Sequence, residues 1–286
     1  MDLHGVSAFP LTPMVDDRID EAAYASLIAR IGGSGVSTVT VLGSTGSYAY
    51  LSRAERAAAI AIAVENAGGT PVLAGIGATR TRHVIEHADD AASAGAAALL
   101  LAPVSYQPLG DEEVFGLFRD VSASTELPII VYDNPRTTGY AFTPEMYARV
   151  AELPHVASLK VPGRPAADAE DLLRRIRSLV PGHVSVNFSG DPFVSGCRKA
   201  GYDGWYSVLA GTLPELALAV WRSGDDAALR PLWDLYADAG GGLRVMAGIA
   251  ELNGWAARDC LPRPLMGLTD PQRTRLARIL EDLGAR

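Results

Sequence analysis

The stretch His155-Val-Ala-Ser-Leu-Lys160-Val-Pro-Gly163 carries an apolar run with strand character into a lysine, after which Pro162 and Gly163 end the strand and turn the chain. A lysine at that point sits in an apolar mouth. Burial disfavours the ammonium, lowers the pKa of the amine and frees it to attack a carbonyl. Two readings are open on these residues: an imine-forming amine, or a side chain that snorkels from a strand end to solvent. Composition bears on the choice, because of the 25 basic residues only Lys160 and Lys199 are lysines. Arginine does not lose its proton in a protein and cannot form an imine, so a lysine in an apolar strand answers a need that arginine cannot meet. Lys199, in Cys197-Arg198-Lys199-Ala200-Gly201, reads as a polar residue in the last turn of a helix.

Working outward from the lysine strand, short apolar runs recur at Val6–Phe9, Val36–Leu42, Pro71–Ala74, Ala97–Ala102, Leu127–Tyr132, His183–Asn187 and Gly204–Val208. Helical patterns separate them. Tyr24, Leu27, Ile28 and Ile31 share one face of a helix over about 20–31, and Ser52 with Glu55 forms a capping box for a helix running to Asn66. Thr79 is expected to cap a helix ending near Ala94, and Asp111 starts one that ends near Ser124. Thr143 followed by Pro144 opens a helix to Glu152. Later helices are expected over Ala167–Leu179, from Asp191-Pro192, and after a cap made by Thr212 with Glu215. Eight strands alternating with helices through short connections predict parallel βα repeats closed into an α/β TIM barrel over residues 1–223. Helical segments at Ala227–Ala239, Leu243–Cys260 and Asp270–Leu283 exceed what a barrel needs and predict a C-terminal helical extension over residues 224–286.

The net charge of −8 and the lack of a basic stripe argue against a nucleic-acid surface. Arg174, Arg175 and Arg177 read as the solvated face of a helix. No apolar run approaches the roughly 20 residues that span a bilayer, and no basic-then-apolar leader opens the chain, so no membrane partner and a cytoplasmic location are expected. Cys197 and Cys260 have no Cys-x-x-Cys spacing and read as small buried hydrophobes.

In a βα barrel the strand C-termini and the loops that follow them share one rim. That rim collects Gly43-Ser44-Thr45-Gly46, Pro103-Val-Ser-Tyr106, Tyr132-Asp-Asn-Pro135, Lys160, Ser189-Gly190-Asp191 and Tyr206. Lysine supplies a nucleophile, tyrosine donates and accepts protons, and adjacent hydroxyls with loop N–H groups can hold a carboxylate. Singly, each has a plain structural reading: Tyr132 as a packing aromatic, Ser44-Thr45 as a polar turn. Together on one rim they form a coherent chemistry.

The order and spacing of Gly43-Ser-Thr-Gly46, of Tyr132 followed by Asp133-Asn-Pro135 and Gly139, and of Leu159-Lys160 resemble the signatures of the dihydrodipicolinate synthase/N-acetylneuraminate lyase family, with a weaker likeness at Arg263-Pro264-Leu265. The resemblance implies a homo-oligomeric TIM barrel, dimer or tetramer, with neither metal nor organic cofactor. It implies that Lys160 forms an imine with pyruvate or another 2-oxo acid, that Tyr132 shuttles protons, and that Ser44 and Thr45 grip the carboxylate and relay protons. It places Tyr206 where the family has an aliphatic residue whose backbone meets pyruvate, and Gly190 and Tyr106 near the substrate. The pattern also departs from the synthases. The arginine that binds the aldehyde's carboxylate is replaced by Thr137, with Arg136 one residue earlier; the usual glutamate is Ser47; and the tyrosine pair after the fourth strand reads Val104-Ser105, with Tyr106 displaced. These departures point to a lyase acting with a different 2-oxo acid and aldehyde. The alternatives are a true 4-hydroxy-tetrahydrodipicolinate synthase in which Arg136 takes the arginine's part, and a non-catalytic 2-oxo acid or sugar-acid binding protein, against which the pairing of Lys160 with Tyr132 speaks.

Other motifs fit less well. His83-Val-Ile-Glu86-His87 spells a zinc-peptidase motif, but its helix belongs to the outer ring and no third ligand is in view. Gly75-Ile-Gly77 lacks the third glycine of a dinucleotide loop, and Gly43-Ser-Thr-Gly46 is followed by no Gly-Lys-Ser/Thr.

Overall fold

A computed structural model describes residues 3–286. Strand β1 (Gly5–Ala8) leads into a small antiparallel hairpin, β2 (Met14–Val15) and β3 (Arg18–Ile19), and then helix α1 (Glu21–Gly32). The chain continues through β4 (Thr38–Val41), α2 (Arg53–Asn66), β5 (Val72–Gly75), α3 (Thr81–Ser93), β6 (Ala98–Leu101), α4 (Asp111–Ser122) and β7 (Ile129–Tyr132). A one-turn helix α5 (Pro135–Thr138) precedes α6 (Pro144–Ala151), followed by β8 (Val156–Pro162), α7 (Ala166–Arg177), β9 (Ser185–Ser189), α8 (Val194–Ala200), β10 (Gly204–Ser207) and α9 (Pro214–Ser223). Every strand except the hairpin pair joins one closed parallel barrel, in the order β1-β10-β9-β8-β7-β6-β5-β4. Helices α10 (Arg230–Asp238), α11 (Gly242–Leu252) and α12 (Asp270–Asp282) form the C-terminal extension. No helix among the described residues is long and apolar enough to cross a membrane.

Period-2 alternation divides the strands into two layers. Val39, Val41, Val72, Ala74, Leu99, Leu101, Val131, Leu159, Val186 and Phe188 face outward and pack under the helices. Leu73, Ala98, Leu100, Ile130, Tyr132 and Tyr206 face inward around Phe9. A slip of one residue in any strand would exchange the two sets, and burying each Val or Leu side chain stabilises the fold by about 1.5–3 kcal/mol, so the register is firmly held. The inner layer is apolar on β5, β6 and β7. On β1, β4, β8 and β9 it is polar: Ser7, Thr38 and Thr40 exchange hydrogen bonds of 2.7 Å, and Asn187 donates to Ser158 at 3.0 Å and to the Leu3 carbonyl at 2.9 Å.

Local sequence accounts for most helix ends. Ser52 and Glu55 form the expected capping box, and Thr143 accepts from Met146 N at 3.1 Å with Pro144 at the first helical position. Thr79 and Thr212 do not cap. Helix α3 starts at Thr81 with Arg80 before it, and α9 starts at Pro214, so Thr212 lies one residue outside the cap and is buried, its hydroxyl pointing to the Leu209 carbonyl and the Met246 sulfur. The helix expected over Leu243–Cys260 ends at Leu252, because Asn253 leads into Gly254 at φ +70°. Both cysteines are buried.

The extension is seated on the rim rather than beside it. Tyr236 of α10 donates to Asp191 at 3.2 Å, Met14 N donates to the Cys260 carbonyl at 2.8 Å, and a Cβ on Gly242 would meet Val208 at 3.0 Å.

Candidate active site

Sheet register sets the centre of the site. Tyr132, the last residue of β7, pairs with Lys160 of β8, which in turn pairs with Asn187 of β9. Neighbours in adjacent parallel strands whose side chains both point inward must meet, and Lys160 Nζ lies 3.7 Å from the centre of the Tyr132 ring and 5.1 Å from that of Phe9. Lys160 is 5% exposed. Burial pushes its amine below the ordinary lysine range, partly opposed by Tyr132 and by the carboxylates of Asp133 and Asp191. The side chain therefore lies inside the barrel among rings and does not reach out to solvent.

Around it runs a short hydrogen-bonded chain. Asn134 Nδ2 donates to the Tyr132 hydroxyl at 2.8 Å, and that hydroxyl donates to Ser44 Oγ at 3.3 Å. Ser44 and Thr45 belong to a turn held on several sides. Leu42 and Ser47 both adopt positive φ, 56° and 54°, which side chains tolerate poorly. The turn keeps that shape because backbones stack where only glycine fits: a Cβ on Gly75 would lie 1.9 Å from the Leu42 carbonyl oxygen, and one on Gly46 would lie 2.8 Å from Leu42 N. Buried Arg56 clamps the neighbouring strand through the Gly75 and Gly77 carbonyls at 2.8 and 3.0 Å, and Thr12 donates to the Gly46 carbonyl at 3.0 Å. Ser44 is exposed on this turn; Thr45 is buried within it.

Tyr206 enters the barrel from β10 and packs edge-on to Phe9, with ring centres 5.6 Å apart. Its hydroxyl lies 3.1 Å from Ser158 and 3.4 Å from the Asn187 amide, so the polar end is engaged in the interior network beneath the lysine. Gly190 turns the chain after β9 at φ +97°, beside Gly163, whose N–H donates to the Ser189 carbonyl at 2.7 Å. Arg136 and Thr137 lie exposed on α5, and Tyr106 is 92% exposed on the loop after β6. Among the described residues no hydrogen bond or ion pair joins these three to Lys160 or Tyr132. The structure thus brings together Lys160, Tyr132 and Ser44, with Thr45 and Tyr206 alongside, and leaves Arg136, Thr137 and Tyr106 at the periphery.

Two rim carboxylates serve the scaffold. Asp191 accepts from Trp205 Nε1, Val208 N, Leu209 N and the Tyr236 hydroxyl. Its burial outweighs these donors and lifts the carboxyl to about 6. Asp133, turned away from the barrel axis, accepts from Tyr147 at 2.6 Å and is likewise lifted to about 6 by burial. On α3, Glu86 is held by Arg53 at 3.0 Å, while burial, aided by Arg56, presses buried His87 down to about 4.

Asn134 and Phe9 are the site neighbours that the sequence reading did not single out. Asn134 had a readable signal: it lies two residues after Tyr132, and in extended chain positions i and i+2 face the same side.

A family model described as the dihydrodipicolinate synthetase family matches residues 2–283. The crystal structure of a dihydrodipicolinate synthase from Agrobacterium tumefaciens superposes with a TM-score of 0.94 at 40% identity, covering 98% of each chain. A 4-hydroxy-tetrahydrodipicolinate synthase of Salinibacter ruber is 30% identical over 99% of this chain and 97% of its own length. An uncharacterised DapA-like lyase of Halobacterium salinarum is 29% identical over 99% of this chain and 95% of its own. With the family matched along nearly the whole barrel and extension, the chain belongs to the dihydrodipicolinate synthetase family and is a lyase of the class I, Schiff-base-forming aldolase type.

Proposed function

We propose that Lys160 forms an imine with pyruvate or a related 2-oxo acid, and that the enzyme then makes or breaks a carbon–carbon bond to an aldehyde. The reading is carried by one observation: a buried amine 3.7 Å from the ring centre of a tyrosine whose hydroxyl is hydrogen-bonded to a rim serine. The neutral amine attacks the 2-oxo carbon. Loss of water then requires a proton on the departing hydroxyl, which Tyr132 supplies, with Ser44 and Thr45 relaying protons and holding the substrate carboxylate. The protonated imine draws electrons from the adjacent C–H or C–C bond, so one site serves condensation and cleavage alike.

Gly190 and the Tyr206 backbone border the 2-oxo acid in this reading, and Arg136, Thr137 and Tyr106 meet the second substrate. Thr137 offers no charge to an aldehyde carboxylate, which favours a partner other than aspartate semialdehyde. Residues 1–223 carry the chemistry and residues 224–286 brace the rim. A cytoplasmic homo-oligomer, dimer or tetramer, completes the proposal; the exposed rings of Tyr106 and Tyr50 offer apolar surface for subunit contact.

The test is intact mass after incubation with pyruvate and borohydride, followed by peptide mapping. A reduced adduct on Lys160 is expected, lost in Lys160→Ala and kept in Lys199→Ala. Labelling by other 2-oxo acids alone would replace pyruvate as the substrate, whereas an adduct on Lys199, or none with any 2-oxo acid, would overturn the proposal.

A further inference from the structure

Asn134 immediately precedes helix α5, where an asparagine side chain ordinarily caps the free N–H groups of the first turn. Here it makes no such bond. Its backbone carbonyl accepts from Thr137 N and Thr138 N, while its side-chain amide turns to the Tyr132 hydroxyl at 2.8 Å. Of the hydroxyl's bonds to Asn134 and Ser44 this is the shorter, and it comes from an amide with no other hydrogen-bond partner among the described residues. We propose that Asn134 is a positioning residue for proton transfer: it donates into the phenol oxygen of Tyr132, directs the phenol's own hydrogen toward Ser44, and stabilises the oxygen once that hydrogen has left.

The inference rests on the imine chemistry proposed above and assigns a direction to it. Once water has left and the relay has returned a proton to Tyr132, Tyr132 passes its hydrogen to Ser44, which is exposed and can hand a proton on to water. The phenolate then carries charge beside an N–H that already points at it, and no reorganisation is needed when the charge appears. Next the phenolate removes a proton from the methyl carbon of lysine-bound pyruvate. The C–H electron pair becomes the enamine double bond, the imine nitrogen regains its lone pair, and Tyr132 is a phenol again. Asn134 touches neither lysine nor substrate in this scheme and acts through Tyr132 alone.

Proton removal from pyruvate is measurable without knowing the aldehyde, as exchange of the methyl hydrogens for deuterium in heavy water followed by proton NMR. Imine formation is measured separately by borohydride trapping on Lys160. In Asn134→Leu, of similar size but without an amide, trapping after equilibration with saturating pyruvate is expected at the wild-type extent, since a slower proton donor does not alter the imine equilibrium, while exchange slows about 10- to 100-fold, the size of one lost hydrogen bond to a charged oxygen. Asn134→Asp, which offers an acceptor and a second negative charge in place of the donor, is expected to slow exchange at least as much. Asn134→Ser serves as an independent variant should the leucine disturb the rim, with the same split between trapping and exchange expected. Wild-type exchange in Asn134→Leu or Asn134→Ser would overturn the inference, as would full exchange in Asn134→Asp, which would mean that the amide oxygen faces the phenol. Equal loss of trapping and exchange in both neutral variants would also overturn it, since a merely structural role predicts that. Failure of the wild type itself to trap pyruvate would instead sink the underlying imine reading.

Discussion

Replacing Asp191 with alanine tests whether the extension and the rim are held together by one buried carboxylate. The carboxylate accepts from four groups: Trp205 Nε1 at 3.1 Å, Val208 N at 3.1 Å, Leu209 N at 2.7 Å and the Tyr236 hydroxyl at 3.2 Å. Its removal leaves four buried or part-buried donors without this acceptor. Each orphaned group costs about 1–3 kcal/mol, but the losses share one cavity and do not add, so the expected total is about 3–5 kcal/mol, as when one partner leaves a buried charged set. At roughly 2–4 °C per kcal/mol for a chain of this size, the thermal midpoint should fall by about 10 °C. Asp191→Asn keeps one acceptor oxygen and should fall between alanine and wild type. The assay is thermal unfolding at fixed protein concentration and neutral pH, with pyruvate trapping measured in parallel on the folded variant. A midpoint within about 2 °C of wild type, well inside the expected shift, would refute the reasoning. So would an unchanged midpoint with trapping abolished, which would make Asp191 a partner of the lysine rather than a brace.

Other outcomes follow from the same geometry. Folded Asp191 and Asp133 are lifted from 3.8 to about 6, so the proton-linked part of the stability each contributes is full below about pH 4 and is lost as pH rises through 6, up to ~3 kcal/mol for Asp191, leaving the hydrogen-bonded bracing in place at neutral pH; urea midpoints should show Asp191→Asn flattening this slope. Because burial lowers the pKa of Lys160, the rising limb of trapping rate against pH should lie below 10.5, and a limb at the ordinary lysine value would contradict the buried placement. Tyr132→Phe keeps the ring beside Lys160 and removes the hydroxyl between Asn134 and Ser44, so turnover should fall about 10²- to 10⁴-fold in steady-state assays with little change in thermal midpoint.

The barrel was legible because its signals are cumulative. Eight short apolar runs, each followed by a helical period, agree with one another, and a local error such as the misplaced caps at Thr79 and Thr212 does not move a strand. The hairpin Met14–Ile19 and the single turn Pro135–Thr138 escaped because two or four residues carry no periodicity. That Lys160 and Tyr132 lie on neighbouring strands near the rim was legible, because side-chain direction follows from the count along each strand. That Asp191 serves as a brace was not legible. Its four donors come from β10, the turn after it and α10, and no spacing in the chain announces that they converge.

The difference between what could and could not be read has a physical cause. Lys160 and Tyr132 are paired residues of adjacent strands, so their separation is set by the sheet, and the turn bearing Ser44 is fixed against Gly75 by contacts that exclude any side chain. A mechanism built on such elements has little freedom to drift. Arg136, Thr137 and Tyr106 lie instead on an exposed helical turn and an exposed loop, where a substitution disturbs no core packing. Chemistry rooted in the sheet can therefore persist while the exposed positions above it change partners. The departure from the synthase pattern at Thr137 falls on such a position, whereas Val104 and Ser105 are half-buried, Val104 packs against the core, and Ser47 is buried in the Ser44 turn. Asn134 stands at the junction. It is the first residue past the strand whose side chain still answers to the barrel interior, and a change there would retune proton transfer without altering what the loops bind.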